Sequence, residues 1–182
     1  RLYEVAAVQE GLFTARQAIE AGYSLPLLVH HRRAGNIARL RRGIYRLVQF
    51  PASEHEELVA IWLWSEQQGV VSHQNALLLH ELSDVLPSQI HLTLPAAWRP
   101  RRLRVPEGVV VYHADVSPDE RTWFGAVPIT TPRRTLMDCA RDGIDPKLLR
   151  QAVKQALARG HLSKRQLEEL DRVPALGEEI AP

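Results

Sequence analysis

Six arginines (Arg32, Arg33, Arg39, Arg41, Arg42 and Arg46) fall between His30 and Arg46, and no acid stands among them. A guanidinium is a rigid fork of donors that fits phosphate oxygens or the O6/N7 edge of guanine, and no lysine shares the stretch. Residues 1–50 hold eight arginines against three glutamates, a balance of +5, whereas residues 51–182 hold 15 basic against 18 acidic residues, a balance of −3. The overall charge of +2 therefore hides a strongly basic front. Such a front suits a polyanion, because each neutralised phosphate releases counterions.

Other residues invite catalytic readings, and each has a plainer one. His73 and His80 are seven apart, with Glu81 and Asp84 near, but the spacing is not that of a zinc protease and ordinary helix filling explains it. Ser72-His73 lacks a visible third partner and a glycine elbow, which argues against a hydrolase triad. A magnesium nuclease wants an acid on a strand, then an acid and a lysine two apart. The strand-like Ile90–Leu94 carries neither, and Asp145-Pro146-Lys147 reads as a helix start with Asp145 as its cap. Cys139, the lone cysteine, excludes an internal disulfide and reads as a buried thiol. No cofactor motif is present, and no enzymatic activity is expected.

The elements that would position the arginines are legible. Leu2, Val5, Ala6 and Val8 suggest a helix ending near Gly11. Thr14 with Gln17 is a capping-box pattern for a second helix. Ser24 opens a third, with Pro26 in its first turn and Gly35 closing it, and Leu25, Leu28 and Val29 are expected on its buried side. Ile37 and Arg39, then Ile44 and Arg46, alternate around Arg41-Arg42-Gly43 as a hairpin does. A capped helix followed by an Arg-rich hairpin is the layout of a winged helix-turn-helix. Its helix would enter a DNA groove and the hairpin would lie along phosphates. The DNA-contacting residues expected are Ser24, His30, Arg32, Arg33, Arg39, Arg41, Arg42 and Arg46.

Phe50-Pro51 breaks the pattern and is the expected boundary between a DNA-binding domain, 1–50, and a second domain, 53–172, with a fraying tail, 173–182. In the second domain Ser53 would cap a helix with early acids and a core face of Leu58, Ile61 and Trp62. Ser72 opens another helix, and Ile90–Leu94 and Val109–His113 alternate as strands. Val127-Pro128-Ile129 reads as a short edge strand. Thr131-Pro132 and Asp145-Pro146 start two helices, and Ser163 caps a last one to Leu170. Two basic sets, the loop residues Arg99, Arg101, Arg102 and Arg104 and the stripe Lys147, Arg150 and Lys154, are candidates for further DNA or partner contact. The expected class is α+β: a winged helix-turn-helix plus a mixed α/β domain. With 45% apolar and 24% charged residues, no apolar run long enough to span a membrane and no secretory signal, a cytoplasmic protein is expected. The chain begins at Arg1, so residues ahead of it are expected.

The hairpin Arg39-Leu40-Arg41-Arg42-Gly43-Ile44-Tyr45, the Ser72–Leu82 helix, the Ile90–Pro95 strand and the segment Thr131-Pro132-Arg133-Arg134-Thr135-Leu136-Met137-Asp138 together resemble the AbiEi antitoxins of bacterial abortive-infection, type IV toxin–antitoxin systems. The resemblance implies a winged helix that binds inverted repeats at its own promoter and represses it. It also implies a C-terminal domain that counters a nucleotidyltransferase-like toxin. Carried onto this chain, Gly43 supplies the turn, Arg39, Arg41 and Arg42 the phosphate grip, and Tyr45 packs. His31 departs from the pattern, which expects an aliphatic residue there. Two competing readings are a metal-dependent nuclease delivered by the winged helix, and a ligand-sensing regulator built around Trp62, Trp64, Trp98 and Trp123.

Overall fold

The computed structural model describes residues 1–163, 165 and 166. Ser163 and Gln166 exchange backbone-to-side-chain hydrogen bonds of 2.9 and 3.2 Å, but the rest of the helix expected to Leu170, and the tail 173–182, lie outside the described residues. The fold is mixed α+β, and the chain divides into two compact units: Arg1–Gln68 with Gly125–Val127, and Gly69–Phe124 with Pro128 onward.

In the first unit, local capping chemistry sets the helices. The Thr14 hydroxyl accepts from the Gln17 N–H at 3.1 Å, and the Gln17 side chain accepts from the Thr14 N–H at 2.8 Å. This capping box starts α2 (Ala15–Glu20), after α1 (Leu2–Ala7). Ser24 caps α3 (Leu25–Arg33) by accepting from the Leu27 N–H at 3.3 Å. Strands β2 (Ile37–Arg41) and β3 (Ile44–Leu47) form the expected hairpin, and Gly43 takes φ 77° in its turn. A strand not anticipated, β1 (Leu12–Thr14), pairs antiparallel with β3, giving the order β1-β3-β2. Three residues are too few to show a period, and the partner lies some thirty residues on. Leu2, Ala6, Phe13, Ala18, Leu28 and Ile37 make the core.

Four expectations fail in this unit. Ser53 does not cap the next helix: its hydroxyl donates to the Glu10 carboxylate, and α4 (Glu56–Trp64) starts after His55. Leu58–Leu63 are all buried, so α4 is apolar all round rather than on one face. It packs on β1 and β3, which is why the unit runs past Phe50-Pro51 to Gln68. On α3 only Leu28 is buried; Leu25 is 60% and Val29 39% exposed.

The second unit is built on a five-stranded sheet, ordered β6-β5-β4-β8-β7. Its strands are β4 (Val70–Val71), β5 (Ile90–Leu94), β6 (Val109–His113), β7 (Arg121–Phe124) and β8 (Val127–Thr130). Strands β5 and β6 match the ranges expected and pair in parallel from Ile90↔Val109 to Leu94↔His113. The Val127 segment is not an edge: β8 is fully buried between β4 and β7. It bridges β4 in parallel through Val71↔Ile129 alone, and that bridge needs no donor from Pro128. Helices α5 (His73–Leu79), α6 (Pro132–Arg141) and α7 (Pro146–Ala158) bury Leu77, Leu136, Cys139, Leu149, Ala152, Val153 and Ala156 together. Prolines open α6 and α7 as expected, and the Asp145 carboxylate accepts from the Lys147 N–H at 2.7 Å. Among the described residues no helix is long and apolar enough to cross a membrane.

Candidate nucleic-acid interface

The arginines of α3 and the hairpin divide into two groups. Arg32, Arg33, Arg39 and Arg42 are exposed, and none of the four pairs with an acid among the described residues. Arg41 and Arg46 are engaged. Arg41 pairs with Glu57 on α4, and Arg46 Nε sits 3.0 Å from Glu56 Oε1, an ion pair whose angle falls short of a hydrogen bond. Arg46 also donates to the Phe50 carbonyl at 3.3 Å, and both its side chain and that of Glu56 are only 21% exposed. Arg46 therefore braces the strand. The Leu12↔Arg46↔Ala38 register fixes it at mid-ladder, flanked by two strands.

Helix α3 carries the remaining candidates. His30 is exposed, and Ser24 is occupied in capping. His31 is half-buried, with its ring 5.7 Å from that of Tyr23 and its Nδ1 3.4 Å from Asn36 Nδ2. That packing explains how a histidine stands where an aliphatic residue was expected. No acid occurs between Glu20 and Glu54, so α3 and the hairpin themselves contribute cations alone, and the acids beside them are Glu56 and Glu57 of α4. Tyr45 packs on Phe13, ring centroids 5.8 Å apart, as expected of a packing residue.

In the second unit both basic sets are exposed. Arg99 donates to the His113 carbonyl at 3.3 Å, and Arg101 lies over the Trp98 ring, 3.9 Å from its centroid. Arg102 and Arg104 are exposed, as are Lys147, Arg150 and Lys154 along α7.

This unit also holds a polar cluster, buried at Ser72, His73, His91 and Thr93 and open at Asp142, that sequence reasoning missed. The Thr93 hydroxyl donates to Ser72 Oγ at 2.8 Å, and Ser72 in turn lies 2.8 Å from His73 Nδ1. His73 stacks on Tyr112, centroids 3.6 Å apart at 14°, and takes φ 51°, a conformation uncommon outside glycine. His91 Nδ1 is 3.0 Å from the Tyr112 hydroxyl, which donates to Asp142 at 2.8 Å. Burial lowers the His73 pKa to about 4, lowers that of His91 as well, and raises that of Tyr112. A neutral His73 whose Nδ1 is taken by a fully buried serine is a strut, not an exposed nucleophile and base. The cluster borders a cavity of about 300 Å³, also lined by Arg99, His113, Arg134 and Arg141. Only the adjacency Ser72-His73 was visible beforehand; Thr93, Tyr112 and Asp142 arrive from other elements.

The expected Arg134–Asp138 pair is present at 2.9 Å and buried, and Glu120 joins it at 2.6 Å from Arg134 Nη1. His73 and His80 do not converge, since His80 Nε2 donates to the Thr130 carbonyl at 2.7 Å. Glu81 and Asp84 turn to α7, bonding Arg159 and Gln151. Among the described residues no three His, Cys, Asp or Glu side chains group as for a metal ion. Trp98 follows β5, and Trp123 lies on the edge strand β7 three strands away, so these two tryptophans of the second unit do not line one cavity.

No curated protein matches the chain. Among solved structures, the crystal structure of the RV2827C protein from Mycobacterium tuberculosis matches with a TM-score of 0.53 and 17% identity, over 94% of this chain and 70% of that one. That likeness concerns the fold. Residues 1–48 match the family model described as "Transcriptional regulator, AbiEi antitoxin". The resemblance read from the residues is thus borne out for this segment, which is similar to the AbiEi antitoxin transcriptional regulators.

Proposed function

We propose that residues 1–50 act as a winged helix-turn-helix that binds duplex DNA, with α3 in the major groove and the β2–β3 hairpin along the phosphates. The carrying observation is that α3 and the hairpin carry no acid of their own and leave Arg32, Arg33, Arg39 and Arg42 exposed, with no acid paired to any of the four among the described residues. Four such cations suit a backbone that rewards each neutralised phosphate. Arg41 joins them when Glu57 releases it. Ser24 contributes as a cap, and Arg46 by bracing β3.

In this reading the protein is a cytoplasmic antitoxin and autorepressor that binds inverted repeats at its own promoter. Residues 53–172 counter a nucleotidyltransferase-like toxin. Arg99, Arg101, Arg102 and Arg104, and Lys147, Arg150 and Lys154, are surfaces for added DNA or toxin contact. The match of residues 1–48 to the AbiEi regulators supports the role.

The test is footprinting of the full chain on the duplex upstream of its own gene. Protection of two related half-sites, lost in Arg39→Ala/Arg42→Ala, is the expected result. An unprotected upstream duplex would overturn the autorepressor assignment.

A further inference from the structure

Helix α3 leaves apolar side chains in water where burial was open to them. Leu25 is 60% exposed and Val29 39%, while Leu28 alone is buried, at 3%. At 100° per residue, Leu25, Val29 and Arg33 form one i, i+4, i+8 line that starts beside the buried Leu28 and winds away from it. Pro26 and His30 flank that line and are also exposed. The N-terminal half of the helix thus presents hydrocarbon and its last turn presents His30 and the cations Arg32 and Arg33.

What covers such a face is constrained by charge. A second copy docked on it symmetrically would set arginines against arginines, since an isologous contact repeats the same patch. The floor of a major groove offers the opposite surroundings: phosphates at the rim for the cations, and thymine C5-methyl groups inside, the only apolar projections there. Leu25 and Val29 are about 6 Å apart along the axis at 1.5 Å per residue, near two base-pair rises of about 3.4 Å.

We infer that Leu25 and Val29 read thymine methyl groups in the major groove, with Arg33 continuing the line to a guanine edge or phosphate. This rests on the reading of the first unit as a DNA-binding module, and adds the chemistry that selects its sequence.

The experiment uses the full chain and a duplex that it enriches from a random-sequence library. The duplex is then synthesised with each thymine in turn replaced by uracil, which deletes one methyl and nothing else. A buried methyl is worth about 0.8 kcal/mol, so binding weakens about fourfold at each thymine that is read. In Leu25→Ala or Val29→Ala the corresponding uracil duplex then binds as well as the thymine duplex, the signature of a coupled pair. Both side chains are exposed, and unchanged thermal unfolding of the variants confirms that they fold. Three outcomes overturn the inference while leaving DNA binding intact: no position sensitive to uracil, variants that stay sensitive at every position, or variants that lose self-association without losing thymine preference. Failure to enrich or bind any duplex overturns the DNA-binding reading and the inference together.

Discussion

Arg41 of the hairpin is held by Glu57 of α4, an acid sixteen residues later in the same unit. The Arg41 side chain is 31% exposed and that of Glu57 65%, so in the proposed function a phosphate would compete with the carboxylate for this guanidinium. Ion pairs this exposed are worth about 0–1 kcal/mol, so releasing the arginine costs the unit little. Glu57→Gln is expected to tighten binding to any duplex severalfold at low salt. It should also steepen the salt dependence by about 0.9, the increment for one added phosphate contact. Anisotropy titrations at several salt concentrations check this. By the same logic Arg42→Ala costs more affinity than Arg41→Ala.

Gly11 joins α1 to β1 with φ 86°, and a Cβ there would lie 2.4 Å from Phe50 Cβ and 2.6 Å from its Cγ. Gly11→Ala therefore meets both a left-handed backbone and the root of the Phe50 side chain, which a rotamer change alone does not move aside. A loss of about 2–4 kcal/mol in the first unit is expected, read by denaturant unfolding. Gly43→Ala, with open space at its Cβ, serves as the control and costs about 1 kcal/mol.

The buried histidines make the second unit acid-sensitive. His73 is held neutral by burial, with a pKa of about 4 against 6.5 when unfolded, and His80 and His91 shift the same way for the same reason. Between those values the unfolded chain binds more protons, so stability is full above pH 6.5 and falls as the pH drops toward 4. His73 alone accounts for about 3 kcal/mol of that loss. His73→Asn tolerates φ 51° and does not titrate, so it flattens the slope of unfolding free energy against pH between 6.5 and 4.

The parts legible in the sequence are those written in neighbouring residues. Thr14 with Gln17, Ser24 with Leu27, and Asp145 with Lys147 are caps closed within three residues, and each forms. The Arg42-Gly43 turn fixes its own hairpin. What could not be read depends on partners far along the chain. Ser53 looks like a cap until Glu10 takes its hydroxyl, and β8 looks like an edge until β7 flanks it. Ser72-His73 lacks a third member until Thr93 supplies one. On α3 the apolar spacing of Leu25, Leu28 and Val29 was equated with burial, yet only Leu28 reaches the core. The candidate interface was therefore legible in its charges and not in its apolar half.

The most direct check of the central claim, that the first unit holds duplex DNA through exposed arginines, is the slope of log affinity against log salt for the full chain on a random-sequence duplex. Four exposed guanidiniums with no acid partner predict a slope of about −3 to −4, which Arg39→Ala/Arg42→Ala makes shallower by about two. Binding that is absent in very dilute salt, or a slope that the double variant leaves unchanged, would contradict it.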